Sequence, residues 1–224
     1  MRPVEIVSLL SEGRVSWDAA FALQKEAETR VKAGGREALF LLEHADVITA
    51  GRNADIGELL VSEDFLLQRG VQLRITDRGG KLTFHGPGQL VAYPVLDLTD
   101  GRRDVRRYVR NLEEVLIRTA RDFGVEAARS AAPERWASIW VGNDKLAAIG
   151  VHLSRWVTTH GCALNVTTDL ARFSLFVPCG IADGGVTSLS RESAKNPPPA
   201  LPIVADRFVS HFLDVFEREK GESP

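Results

Sequence analysis

The chain has 224 residues, 44% hydrophobic and 26% charged, with a formal net charge of −2 at pH 7. That composition belongs to an ordinary globular protein long enough to build a core without staples, and its charge argues against a dedicated nucleic-acid binder. Two cysteines, Cys162 and Cys179, cannot form the disulfide framework of a small secreted domain, and no apolar run is long enough to span a bilayer, so a cytoplasmic protein with reduced thiols is expected.

In chain order, Ser16 is placed to cap a helix carrying Ala20, Phe21, Leu23, Ala27 and Val31, closed by Gly34-Gly35. "EALFLLEH" follows as an unbroken apolar strand, then a short helix near Asp64 to Arg69 and the alternating strand "VQLRIT". The clearest helix spans Asp104 to Phe123, because Val105, Tyr108, Val109, Leu112, Val115, Leu116 and Phe123 recur at intervals of three and four before Gly124. "ASIWVGNDKLAAIGVHL" reads as a hairpin around Gly142-Asn143-Asp144, and "VTTHGCALNV" as a further strand. A last amphipathic helix carries Ile203, Val204, Phe208, Phe212 and Phe216. Residues 1–3 and 218–224 are expected to fray. Hairpins among helices favour one α/β domain over residues 1–224, a mixed sheet with packed helices rather than a doubly wound parallel one.

"RGGKLTFHGPGQLVAYPV" concentrates four glycines around His85. Gly86-Pro87-Gly88-Gln89 suits a type II turn, with Pro87 presetting its torsion and Gly88 free to take positive φ. Before it, alternation puts Lys81, Thr83 and His85 on one face and Leu82 and Phe84 on the other. Two readings stand: a tight hairpin, or a backbone stripped of side chains so that a ligand can approach Gly79-Gly80. Neither a P-loop nor a Rossmann fingerprint is present.

Cys179 sits in "FVPCGIADGG", held in a bend by Pro178 and Gly180, whereas Cys162 lies in an apolar strand. A buried structural thiol is the ordinary fate of either. A Cys–His–Asp arrangement drawing on His85 or His160 remains open. No CxxC, HxH or HExxH pattern marks a metal site, and no metal or other cofactor is expected.

"RGGKLTFHGPGQLVAYPVLDL", "KLAAIGVHL", "THGCALNV" and "PCGIADGGVTSL", in that order, resemble the signature blocks of the bacterial lipoyl(octanoyl) transferases. The resemblance implies a biotin/lipoate protein ligase-like α/β fold forming a single octanoyltransferase catalytic domain. It also implies octanoyl (or lipoyl) transfer from acyl carrier protein to a lysine of lipoyl domains, in 2-oxoacid dehydrogenases and the glycine cleavage H protein. Cys179 would be the acylated nucleophile and Lys145 the group that lowers its pKa. Substrate would be bound by Arg78, Gly79, Gly80, Lys81, Leu82, Thr83, Phe84 and His85, by Ala148, Ile149 and Gly150, and by His160, Gly161, Cys162 and Ala163. Cys162 departs from the family, which usually carries an aliphatic residue there. Since thioester to amide is downhill, such a reaction needs no ATP.

Two alternatives remain at this point: an ATP-dependent lipoate-protein ligase of the same fold, and a non-catalytic binding module. The partners the resemblance implies are typically acidic. Arg103, Arg107 and Arg110, beside Arg102 and Arg106, share one helical face that could meet them, or be a solvated face offset by Asp104, Glu113 and Glu114. No nucleic acid or membrane partner is expected, and the chain is expected to act as a monomer.

Overall fold

The computed structural model describes residues 2–99, 103–130, 132, 137–177, 184–193 and 199–221. Twelve strands are found among them: β1 (Arg2–Ser8), β2 (Arg14–Val15), β3 (Glu37–His44), β4 (Val47–Ala50), β5 (Gln72–Ile75), β6 (Leu82–His85), β7 (Gln89–Val95), β8 (Ala128–Arg129), β9 (Ser138–Val141), β10 (Asp144–Ser154), β11 (Val157–Asn165) and β12 (Arg218–Lys220). The helices are α1 (Trp17–Lys32), α2 (Glu63–Gln68), α3 (Val105–Asp122), α4 (Leu189–Glu192) and α5 (Leu201–Val215). The larger sheet runs β12-β1-β3-β7-β11-β10-β9-β8, with β2 beside β3. Its β12, β1 and β3 are parallel, and every pairing from β3 to β8 is antiparallel, so the sheet is mixed.

Burial on both faces explains why β3 and β7 read as unbroken apolar runs. Leu39, Leu41, Leu90 and Ala92 face a core closed by α3 and α5. Phe40, Leu42, Val91 and Tyr93 face a second core closed by Ala20, Ala27 and Val31 of α1. Ser16 caps α1 by accepting the Ala19 N–H, and Asp104 caps α3 by accepting that of Arg107.

The smaller sheet, β5-β4-β6, encloses a third core containing Ile48, Leu66, Leu82, Phe84 and Phe176. The turn at Gly86–Gln89 is of the expected type: Gln89 N–H donates to Gly86 O at 3.2 Å and Gly88 has φ +79°. It does not close a hairpin, because β6 pairs with β4 while β7 pairs with β3 and β11. The turn instead carries the chain from one sheet to the other, and the wedge between the sheets becomes the site.

The expected fraying of the two ends is corrected over the described residues. Arg2, Pro3 and Val4 pair in register with Arg218, Glu219 and Lys220. A buried fork from Arg218 to Glu37, 2.5 Å from Nε and 3.0 Å from Nη2, fixes that edge. Local sequence cannot reveal a strand pairing that closes over the whole chain. No helix among the described residues is long and apolar enough to cross a membrane.

Candidate active site

A cavity of about 690 Å³ opens between the two sheets. Arg78, Gly79, Gly80, Lys81, Leu82, Thr83 and His85 form one wall; Ala148, Ile149, Gly150, His160, Gly161, Cys162 and Ala163 form the opposite one. Phe84 is turned away into the third core, against Phe173 at 5.7 Å between ring centroids, as strand alternation requires. Trp17, Tyr93, Val105 and Val109 also line the cavity. Sequence reading did not single out these four, since each belongs to an element whose packing role explains it equally well.

The glycine loop is braced by a buried guanidinium. Arg78 is 7% exposed and donates to Thr49 O (2.6 Å), Thr49 Oγ1 (2.8 Å), Gly79 O (2.9 Å) and Lys81 O (2.8 Å). The planar fork thus converts three carbonyls that would otherwise point at random into a fixed frame. Gly79 N–H donates to Val151 O at 2.9 Å, which removes it from the donors available to a substrate oxyanion. Lys81 Nζ is 2.5 Å from Glu58 Oε1.

On the facing wall, β11 presses so closely on β7 that a Cβ on Gly161 would lie 2.1 Å from Ala92 O. Only glycine fits there. His160, immediately before it, takes φ +58°, an uncommon backbone conformation for a bulky residue. Two contacts hold it: its N–H donates to Gln24 Oε1 at 2.7 Å and its Nε2–H to Asp77 Oδ1 at 2.6 Å. Burial lowers the His160 pKa, with Asp77 opposing the shift.

Two more histidines are kept neutral. His44 donates through Nδ1 to Val15 O (2.9 Å) and accepts the Tyr93 hydroxyl proton at Nε2 (2.8 Å); burial brings its pKa down to about 4. His85 is brought down to about 3, chiefly by burial and then by the nearby His44 and Arg78. At neutral pH neither histidine is a cation or a useful general base. Cys162 is buried, packs into the core under α3, and has its thiol pKa pushed up by that burial. Among the described residues no group of three or more His, Cys, Asp or Glu could hold a metal ion.

Lys145 reaches the cavity by an irregularity in its strand. Against β9, Lys145 faces Trp140 and Ala147 faces Ile139, so Leu146 is an extra residue in the ladder. Leu146 and Ala147 both pack into the α3 core, while Lys145 lines the cavity with Ala148. Its ammonium lies 5.1 Å from the Trp140 ring centroid. Cys179 lies outside the described residues. The flanking chain is held on both sides: Val177 N–H donates to Glu58 O (2.8 Å), and Lys145 N–H donates to Gly185 O (3.0 Å). Phe176, Gly184, Gly185 and Val186 share with Lys145 a recess continuous with the cavity.

Comparison with known proteins agrees with this architecture. An octanoyltransferase of Solibacter usitatus (strain Ellin6076) is 46% identical over 208 residues, covering 92% of this chain and 91% of that protein. One of Acidobacterium capsulatum is 44% identical over 225 residues, covering 94% and 90%. Among solved structures, a putative lipoate protein ligase from T. acidophilum with bound lipoic acid superimposes with a TM-score of 0.78 at 17% identity, covering 100% of this chain and 89% of that one. At that identity the likeness concerns the fold alone. Residues 17–213 match the family model of the lipoyl protein ligase A/B catalytic domain. The chain belongs to the lipoyl protein ligase A/B catalytic-domain family.

Proposed function

We propose that this chain is a cytoplasmic octanoyltransferase, moving an octanoyl or lipoyl group from acyl carrier protein to a lysine of lipoyl domains through a thioester on Cys179. The observation that carries the reading is Lys145: a β-bulge turns its ammonium into a cavity with mostly apolar lining, and its backbone is hydrogen-bonded to Gly185 and Thr187, which follow Cys179 in the chain.

The chemistry follows from that pairing. Thiolate, not thiol, attacks a thioester, and a neighbouring ammonium stabilises the thiolate. In the first step the Cys179 sulfur bonds to the acyl carbon, and the departing carrier thiolate takes a proton from Lys145, leaving that amine neutral. In the second, the acceptor amine attacks the same carbon, Lys145 takes the amine proton, and the Cys179 thiolate leaves. Burying the six methylenes of an octanoyl tail along Leu82, Ile149 and Ala163 contributes on the order of 5 kcal/mol.

The test is mass spectrometry of the protein mixed with octanoyl-acyl carrier protein in the absence of ATP. A single octanoyl adduct on Cys179 is expected, discharged by an apo lipoyl domain. Labelling of the acceptor only from free octanoate plus ATP would make the chain a ligase and remove the reading.

The docking face for these acidic partners is the start of α3. Val105 and Val109 line the cavity, and Arg103, Arg106, Arg107 and Arg110 are exposed on the same stretch. The acidic residues of the same helix are committed elsewhere: Asp104 to the helix cap, Glu113 to Arg129, Glu114 to Arg118 and Arg129. Among the described residues none of the four arginines has an ion pair, so the face stays positive in a chain of net charge −2. Arg106→Glu with Arg110→Glu should raise the donor KM about tenfold or more and flatten its salt dependence, with kcat little changed. Unaltered kinetics across a salt series would exclude this face.

A further inference from the structure

Buried hydrogen bonds run in one direction from His85, on the cavity wall, through Gln89 and Asn165, which line the adjoining recess. His85 Nδ1 is 2.8 Å from Gln89 Oε1, Gln89 Nε2 is 2.9 Å from Asn165 Oδ1, and Asn165 Nδ2 is 2.9 Å from Thr187 O. Gln89 Nε2 is also 3.1 Å from Phe84 O. Thr187 N–H in turn donates to Lys145 O at 2.9 Å. His85, Gln89, Asn165 and Thr187 are all buried.

Amide orientation and histidine tautomer are normally ambiguous, but two backbone carbonyls resolve them here. Thr187 O can only accept, so Asn165 presents its NH₂ to it and its oxygen to Gln89. Phe84 O can only accept, so Gln89 presents its NH₂ to both Phe84 and Asn165, and its oxygen to His85. His85 must therefore carry its proton on Nδ1. Its Nε2 is left as a bare acceptor on a residue that lines the cavity, with no partner among the described residues.

We infer that Gln89 and Asn165 are a positioning pair with two outputs: they fix His85 as a neutral acceptor toward the cavity, and they fasten the segment following Cys179 to β11, beside the strand that carries Lys145. Both residues line the recess that holds Lys145. The pair acts through His85 at one end and through Thr187 at the other. That the first output assists attack by an incoming amine, whose N–H would donate to Nε2, rests on the acyl-transfer reading; the tautomer itself does not.

The two outputs separate in the pH dependence of two isosteric variants, each measured relative to wild type at every pH. In Gln89→Glu the carboxylate still accepts the His85 proton but raises the imidazole pKa, so Nε2 becomes a donor as pH falls. The transfer rate should then drop about tenfold per unit below that pKa. In Asn165→Asp an ionised oxygen opposes Thr187 O and frees the segment. Transfer should fall about tenfold at neutral pH and recover in acid, where the protonated carboxyl can again donate to that carbonyl.

Long-range ¹H–¹⁵N spectra of wild-type protein should show His85 protonated on Nδ1 at pH 7. An Nε2–H tautomer, or equal and pH-independent losses in the two variants, would overturn the inference. The tautomer is read without any substrate, so a protein that transfers no octanoyl group at all would sink the proposed activity and leave this result standing.

Discussion

A Cys179→Ala variant is expected to form no acyl adduct and to lose octanoyl transfer by on the order of a thousandfold or more, because on the proposed mechanism direct attack of an amine on the carrier thioester then has no relay. Lys145→Met leaves the nucleophile but withdraws its counter-charge. At neutral pH acylation should slow by about 10- to 1000-fold, the thiolate fraction lost when an opposite charge within a few ångströms is removed, and raising the pH should restore much of it. Single-turnover acylation from octanoyl-carrier measures both. A Lys145→Met enzyme that stays equally slow in alkali would break the electrostatic assignment.

The same experiment has an internal control in the second cysteine. Burial keeps Cys162 protonated within the α3 core. Native protein should therefore alkylate at Cys179 first, with Cys162, a protonated thiol on the cavity wall, reacting far more slowly until the protein is unfolded. The departure from the family pattern at Cys162 is in this light a packing substitution, one small apolar side chain for another.

Arg78→Met is expected to be the most damaging change outside the reacting groups. It removes a buried charge that contacts Thr49, Gly79 and Lys81, leaving three carbonyls and a hydroxyl to find new partners in a dry loop. Urea denaturation should show a loss of about 3 kcal/mol or more, and the cavity wall should lose its shape with it. Arg78→Lys recovers little of this, since an ammonium cannot fork to acceptors arranged in a plane. A variant with unchanged urea midpoint and unchanged donor KM would show that the glycine loop holds itself.

Much of this was legible from one dimension. The α3 stripe, the Ser16 cap, the Gly142-Asn143 hairpin and the Pro87-Gly88 turn each obey a local rule, and local rules survive tertiary packing when they agree with it. The placement of the glycine blocks around a common cavity came from the resemblance rather than from any spacing. What could not be read were features joining distant positions. Arg218 meets Glu37 across nearly the whole chain, and Asp77 meets His160 through an imidazole whose backbone sits in an unusual region. Gln89 and Asn165 left a faint trace, each a lone amide at the end of an apolar strand. That trace says a polar group will be buried, not what it will meet.

The extra residue in β10 has a corollary for chain length. Strict alternation would put position 145 on the same side as Ala147, beneath α3, with its amine in hydrocarbon. The single added residue inverts the parity of everything upstream of it. Between Lys145 and Ala147, then, deleting the one extra residue should turn the Lys145 side chain from the cavity toward the core beneath α3, a change in length that costs more than most changes of side chain at the neighbouring positions.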